Sequence, residues 1–163
     1  MQTGGVIYVH SALPAICPHV EWAISGVLGT RVSLSWTAQP AAPGQLRAEA
    51  SWAGDRGTGS RIAAALRSWK MLRFEVTEDP SQGQDGERIC YVPGRGIWRA
   101  TVSANGDVMI AEDQLRALVR QQQSADAIRH ALSEALGEHI DDELEAFRSA
   151  GEGSEVTWLH QVG

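Results

Sequence analysis

The chain has 163 residues, 43% of them hydrophobic, and a net charge of −6 at pH 7, enough apolar material to bury a core without disulfide or metal staples. Cys17 and Cys90 are too few for a disulfide framework and lack the C-x-x-C spacing of redox or zinc motifs. No apolar run approaches the ~20 residues that span a bilayer, no lipidation signal is visible, and MQTGGVIYVH has no signal-peptide pattern, so a soluble cytoplasmic protein with no membrane partner is expected.

The charge is unevenly spread. Glu134, Glu138, Asp141, Asp142, Glu143, Glu145, Glu152 and Glu155 face Arg148 as the lone base between residues 134 and 155. An isoelectric point near 5.3 without a basic cluster argues against nucleic acid as the main partner. Among the basic residues only Lys70 is not arginine, the usage that a GC-rich genome imposes.

In chain order, Gly5 to His10 (GVIYVH) reads as a central strand that Ser11-Ala12-Leu13-Pro14 breaks. Val20, Ile24, Val27 and Leu28 repeat at helical spacing after Cys17-Pro18, predicting a helix over 18–28 that Gly29 ends. Val32, Leu34 and Trp36 alternate with Ser33 and Ser35, and Leu46, Ala48, Ala50 and Trp52 with Arg47, Glu49 and Ser51, predicting two half-buried strands. After a turn over 54–59, Thr58 or Ser60 caps a helix carrying Ile62, Ala65, Leu66 and Trp69. Leu72, Phe74 and Val76 then mark a fourth strand.

This βαββαβ order over 5–79 is that of a ferredoxin-like unit, with sheet order 4-1-3-2 and both helices on one face. The polar loop 80–88 separates it from a second unit over 88–163. There Ile89 to Val92, Ile97 to Val102 and Asp107 to Ile110 form a meander closed by Asn105-Gly106 as a type I′ turn. A short helix starts from about residue 112, and Ser124 caps a longer one running through Leu136 to Phe147. Val156 to Val162 is a strand that docks into a sheet and ties the halves into a single composite α+β domain over 1–163.

Four constellations carry candidate chemistry. First, Arg47, Glu49, Arg73 and Glu75 stand on the polar parity of the third and fourth strands, with Tyr8 and His10 between them, which makes a ligand platform on the face away from the helices; a solvated charge ladder is the plainer alternative. Second, Gly57, Gly59, Ser60 and Arg61 lie in a Gly-rich loop feeding a helix, where backbone amides cradle anions, although the spacing matches neither a P-loop nor a dinucleotide fingerprint. Third, Cys17 sits at a helix N-terminus, which lowers a thiol's pKa, with His19 and Glu21 nearby as weak catalytic candidates. Fourth, His139, Asp142 and Glu143 share a helical face, but an acidic run of this kind is ordinarily a solvated surface, and no metal site is assigned. Six tryptophans fall mostly at core parity.

GVIYVHSA, CPHVEWA, GTGSRIAAALRSW, LRFEVTED, DDELEAFR and the terminal WLHQVG resemble, over nearly the whole chain, an actinobacterial family defined by a domain of unknown function. The resemblance implies a small intracellular protein and transfers no activity, cofactor or catalytic residue. The residues themselves lack a complete set of nucleophile, base and orienter, which favours a non-catalytic binding or regulatory module for a small molecule or protein partner. A small enzyme or thiol-dependent protein using Cys17 and His19 is the alternative. No cofactor is expected, and self-association is among the open partner classes.

Overall fold

The computed structural model describes residues 1–151, 153 and 156–160. Among them lie strands β1 (Gln2–Ala12), β2 (Thr37–Ala38), β3 (Leu46–Asp55), β4 (Arg73–Glu78), β5 (Gly86–Val92), β6 (Gly96–Val102), β7 (Val108–Met109) and β8 (Val156–His160). The helices are α1 (Cys17–Leu28), α2 (Thr58–Leu66), α3 (Glu112–Gln121), α4 (Ala125–Leu136) and α5 (Glu138–Ser149). The protein is α+β. Its eight-stranded sheet runs β2-β3-β1-β4-β5-β6-β7, with β8 added to β3. Neighbours are antiparallel except β3 and β8, which run parallel.

Strand parity builds the layers. Ile7, Val9, Ala48, Ala50, Trp52, Phe74, Val76, Ile89 and Tyr91 point to one face and meet Val20, Ile24 and Leu28 of α1 and Ile62, Ala63 and Leu66 of α2 in the main core. On the other face Cys90 and Val92 meet Ile140 and Leu144 of α5 in a smaller core edged by Trp98. The sheet is thus covered on one side by α1 and α2 and over part of the other by α5.

Several elements depart from the sequence expectation. The first strand runs on through Ala12 rather than breaking at Ser11. The alternating 32–36 segment forms no strand: Glu21 Oε1 accepts from Leu34 N at 2.8 Å and Ser25 Oγ from Val32 N at 2.9 Å, so side chains of α1 take the amides that a ladder would use. Only Thr37 and Ala38 pair with β3, opposite Arg47 and Leu46, and β8 takes the rest of that edge from Glu49 to Ala53. Residues 161 and 162 of the expected final strand lie outside the described residues. The 80–88 loop is shorter than expected, because β5 starts at Gly86 and pairs directly with β4.

The expected long helix after Ser124 is two helices. Ser124 Oγ does cap α4, accepting from Ala127 N, but Gly137 turns left-handed at φ 78° and starts α5 in a new direction. A Cβ at Gly137 would come within 2.6 Å of the Trp98 ring, so both the dihedral and the close approach require glycine. The β6–β7 turn is not type I′ either: only Gly106 has positive φ. Gly106 N donates to Ser103 O and Ser103 N to Asp107 O, a three-residue loop with glycine at its left-handed position.

Candidate functional site

On the sheet face away from α1 and α2, cross-strand register aligns Glu49, Tyr8, Glu75, Cys90 and Trp98 in one row. Beside it lies a cavity of about 680 Å³ lined by Tyr8, His10, Arg47, Glu49, Glu75, Thr77, Arg88, Arg148, Gly151 and Gly153.

His10 owes its position to a β-bulge. Val9 pairs with Phe74 and Ser11 with Arg73, so two residues of β1 answer one of β4 at this point. A bulge re-aims side chains, and here His10 and Ser11 both reach groups on the cavity face. The His10 carbonyl accepts from the buried Gln39 amide at 2.7 Å. Its ring stacks beside Tyr8, with centroids 5.9 Å apart and planes 5° off parallel.

Glu75 is the hub. Its carboxylate is 7% exposed and accepts from His10 Nε2 at 2.6 Å, Arg88 Nη2 at 2.9 Å and Arg148 Nη2 at 2.5 Å. Arg148 Nε donates to it at 2.9 Å and the Cys90 thiol at 3.3 Å. A carboxylate only accepts, so His10 Nε2 is the donor in this contact. Asp141 of α5 ties the two arginines together, accepting from Arg88 at 2.7 Å and Arg148 at 2.8 Å. Arg88 also lies over the Trp98 ring, 5.5 Å from its centroid.

Burial alone would raise the Glu75 carboxyl, but hydrogen bonds and charge from His10 and Arg148 outweigh it and hold the group far below the ordinary carboxylate range. Burial and the nearby Glu75 push the Cys90 thiol up. The Tyr8 hydroxyl is pushed up by burial and then by Glu49, Glu75 and Asp79. The result is a closed network of two carboxylates and two guanidiniums that pins α5 to the sheet. Among the described residues, the Glu49 carboxylate and the Tyr8 hydroxyl face the cavity without hydrogen bonds. Trp158 of β8, opposite Ser51 in register, stands exposed on the same face.

Of the expected platform, the structure brings together Tyr8, His10, Arg47, Glu49 and Glu75. Arg73 is not part of the lining. Its guanidinium lies 4.7 Å from the Phe147 ring centroid and donates to Ser11 Oγ, holding the end of α5. Arg88, Asp141 and Arg148 also belong to the network and lie in none of the four sequence constellations. The signal for Arg148 was its isolation among acids; Arg88 shares the parity of Cys90 on β5.

The Gly-rich loop does cradle an anion, and the anion is the protein's own. Glu78 of β4 accepts from Gly57 N at 2.9 Å and Gly59 N at 3.0 Å, capping α2 in place of Thr58 or Ser60. Ser60 instead donates to Glu87 at 2.8 Å and Arg61 to Thr58 Oγ1 at 2.6 Å. A Cβ at Gly59 would approach Glu78 Oε2 to 3.1 Å, so the loop backbone lies close against the carboxylate it holds.

The thiol candidates sit across the sheet, on the α1 side. Cys17 is buried and its Sγ donates to Leu13 O at 3.5 Å. Burial, followed by the charge of Glu21, pushes the thiol up to about 11, opposite to the lowering expected at a helix N-terminus. His19 is exposed beside Trp69, and Glu21 is engaged by Leu34 N and Trp36 Nε1. On α5, His139 lies 3.4 Å from Glu134 and Glu143 pairs with Arg95, while Asp142 is exposed. Among the described residues no group of His, Cys, Asp and Glu side chains converges as a metal site, and no helix is long and apolar enough to cross a membrane.

No curated protein and no solved structure matches the chain. A family model described as a protein of unknown function (DUF3145) matches residues 6–161. With that match spanning nearly its whole length, the chain belongs to the DUF3145 family.

Proposed function

We propose that the protein is a binding module whose ligand is a small polar molecule that presents an amine or another hydrogen-bond donor to Glu49 in the sheet-face cavity. The observation that carries this reading is the contrast within one cavity wall. The Glu75 network is closed, whereas Glu49 and the Tyr8 hydroxyl beside it make no hydrogen bond to another described residue. The cavity volume of about 680 Å³ falls in the range of small-molecule sites, and a rigid charged frame around a few open polar groups suits selective recognition. Arg88 and Arg148 are balanced by Glu75 and Asp141, so a donor approaching Glu49 meets no uncompensated repulsion from that pair. The Tyr8 ring edges the same space and offers an aromatic face to a cationic group.

The strand order β4-β1-β3-β2, with α1 and α2 on one face, supports a ferredoxin-like reading of the first half, and a regulatory role follows from that analogy alone. The thiol-enzyme alternative gains no support from a buried, raised Cys17 with His19 on another side of α1.

Thermal shift against amines, amino acids and nucleotides tests the proposal. A ligand at about 100 times its Kd adds about 2.7 kcal/mol, several degrees in a protein of this size. Glu49→Gln and Tyr8→Phe should each weaken that ligand about tenfold or more, the loss of one buried charged or polar contact, while leaving the unliganded melting temperature nearly unchanged. No stabilising compound, or full affinity in Glu49→Gln, refutes it.

A further inference from the structure

Helices α3 and α4 contain no buried residue. α3 rests on the molecule through α4, and its apolar Leu115 and Val119 are 40% and 51% exposed. These two stand at i and i+4, neighbours along one face. A ten-residue helix is shorter than the roughly 12–15 residues at which an isolated helix becomes marginal in water, and helices in proteins draw most of their stability from a packed apolar face. On α3 that face is open.

We propose that it is covered by α3 of a second copy of the chain, packed antiparallel across a two-fold axis. The charges of the helix select this occupant. Glu112 and Asp113 occupy the first turn and Arg120 the last, Arg116 between them pairs with Glu112 of its own helix, and α3 has no other charged residue. A parallel pair sets acids over acids and arginines over arginines. An antiparallel pair sets the acidic end of each helix over the basic end of the other and opposes the two helix dipoles. Leu115 and Val119 straddle the helix midpoint, so the same reversal brings Leu115 towards Val119 of the partner subunit. A two-fold axis is the operation that joins one surface patch to itself. Three-turn helices bury less than the roughly 1,600 Å² of a standard interface, so the dimer is weak and depends on concentration. The cavity near Glu49 lies elsewhere, and this inference is independent of the proposed ligand.

Sedimentation velocity of the full chain over a roughly hundredfold concentration range tests it, since association must follow mass action. The wild type should pass from monomer to dimer. R116E/R120E makes α3 wholly acidic and E112R/D113R makes it wholly basic; each alone should raise the dimer Kd at least tenfold, and an equimolar mixture should recover a heterodimer near wild-type affinity. Val119→Ser, which leaves every charge in place, should also weaken the dimer at least tenfold. Unchanged far-ultraviolet circular dichroism and melting temperature identify the variants that fold. A wild type monomeric throughout, folded charge variants that dimerise as the wild type does, or a mixture that stays monomeric overturns the proposal.

Discussion

Glu75→Gln isolates the hub of the sheet-face network. Glutamine keeps the volume, so no cavity opens, but the two guanidiniums are left with Asp141 as their one carboxylate among the described residues. The new amide nitrogen also turns a donor towards donors already supplied by His10, Arg88 and Arg148. Removing one partner of a buried ion pair costs about 3–5 kcal/mol. Arg88 and Arg148 are 22% and 26% exposed, so water compensates part of the loss and the lower end, about 3 kcal/mol, applies. At about 2–4 °C per kcal/mol for this chain length, the melting temperature should fall by roughly 6–12 °C. Urea unfolding should show a reduced midpoint at constant slope, and a cycle with Arg148→Met should give a coupling of about 1.5 kcal/mol or more. pH supplies an independent check. The folded Glu75 carboxyl lies well below its unfolded value near 4.3, so its contribution is complete above that value and is lost as pH falls below it. The wild type should therefore lose about 1.4 kcal/mol per pH unit more than Glu75→Gln between roughly pH 4 and 2. A cost under about 1 kcal/mol, or identical acid slopes in the two proteins, refutes the assignment of Glu75 as a buried hub.

Glu78→Ala removes the carboxylate that caps α2 and leaves the Gly57 and Gly59 amides unpaired; a loss of about 1–2 kcal/mol in chemical denaturation is expected, and exchange of those two amides should accelerate. Stability within about 0.3 kcal/mol of wild type would contradict the cap. For Cys17, a thiol raised to about 11 should react with a disulfide reagent slowly at neutral pH and accelerate up to that region. A rate already at its plateau by about pH 8, the ordinary free-thiol range, would contradict its burial.

Much of this architecture was legible because strand parity has a period of two. Tyr8, Glu49 and Glu75 could be placed on one face from alternation alone, and the order β4-β1-β3 followed from connection rules. The bulge at His10 could not be read, since no glycine or proline marks it and two β1 residues turn to one side only in the context of β4. The 32–36 segment misled for a related reason: alternation reports which side is buried, and here Glu21 and Ser25 bury it against α1 without a ladder. Gly137 was submerged in an apolar helical pattern that continues on both sides of it, and the Trp98 ring that requires glycine there comes from a distant strand. Arg148 belongs to a helix whose rotational phase against the sheet is set by Ile140 and Leu144 packing on Cys90 and Val92, information absent from local spacing.

The parallel pairing of β8 with β3 joins segments about a hundred residues apart in the chain, a long closure that costs entropy before it is repaid. Until it forms during synthesis, the outer edge of β3 from Glu49 to Ala53 presents unpaired amides and carbonyls beside an apolar inner face, the arrangement that invites pairing with another chain. Arg47 and Glu49 stand at the start of that edge, and charges at such a position disfavour pairing with another chain. Arg47 and Glu49 thus stand both in the wall of the folded cavity and at the edge that closes last.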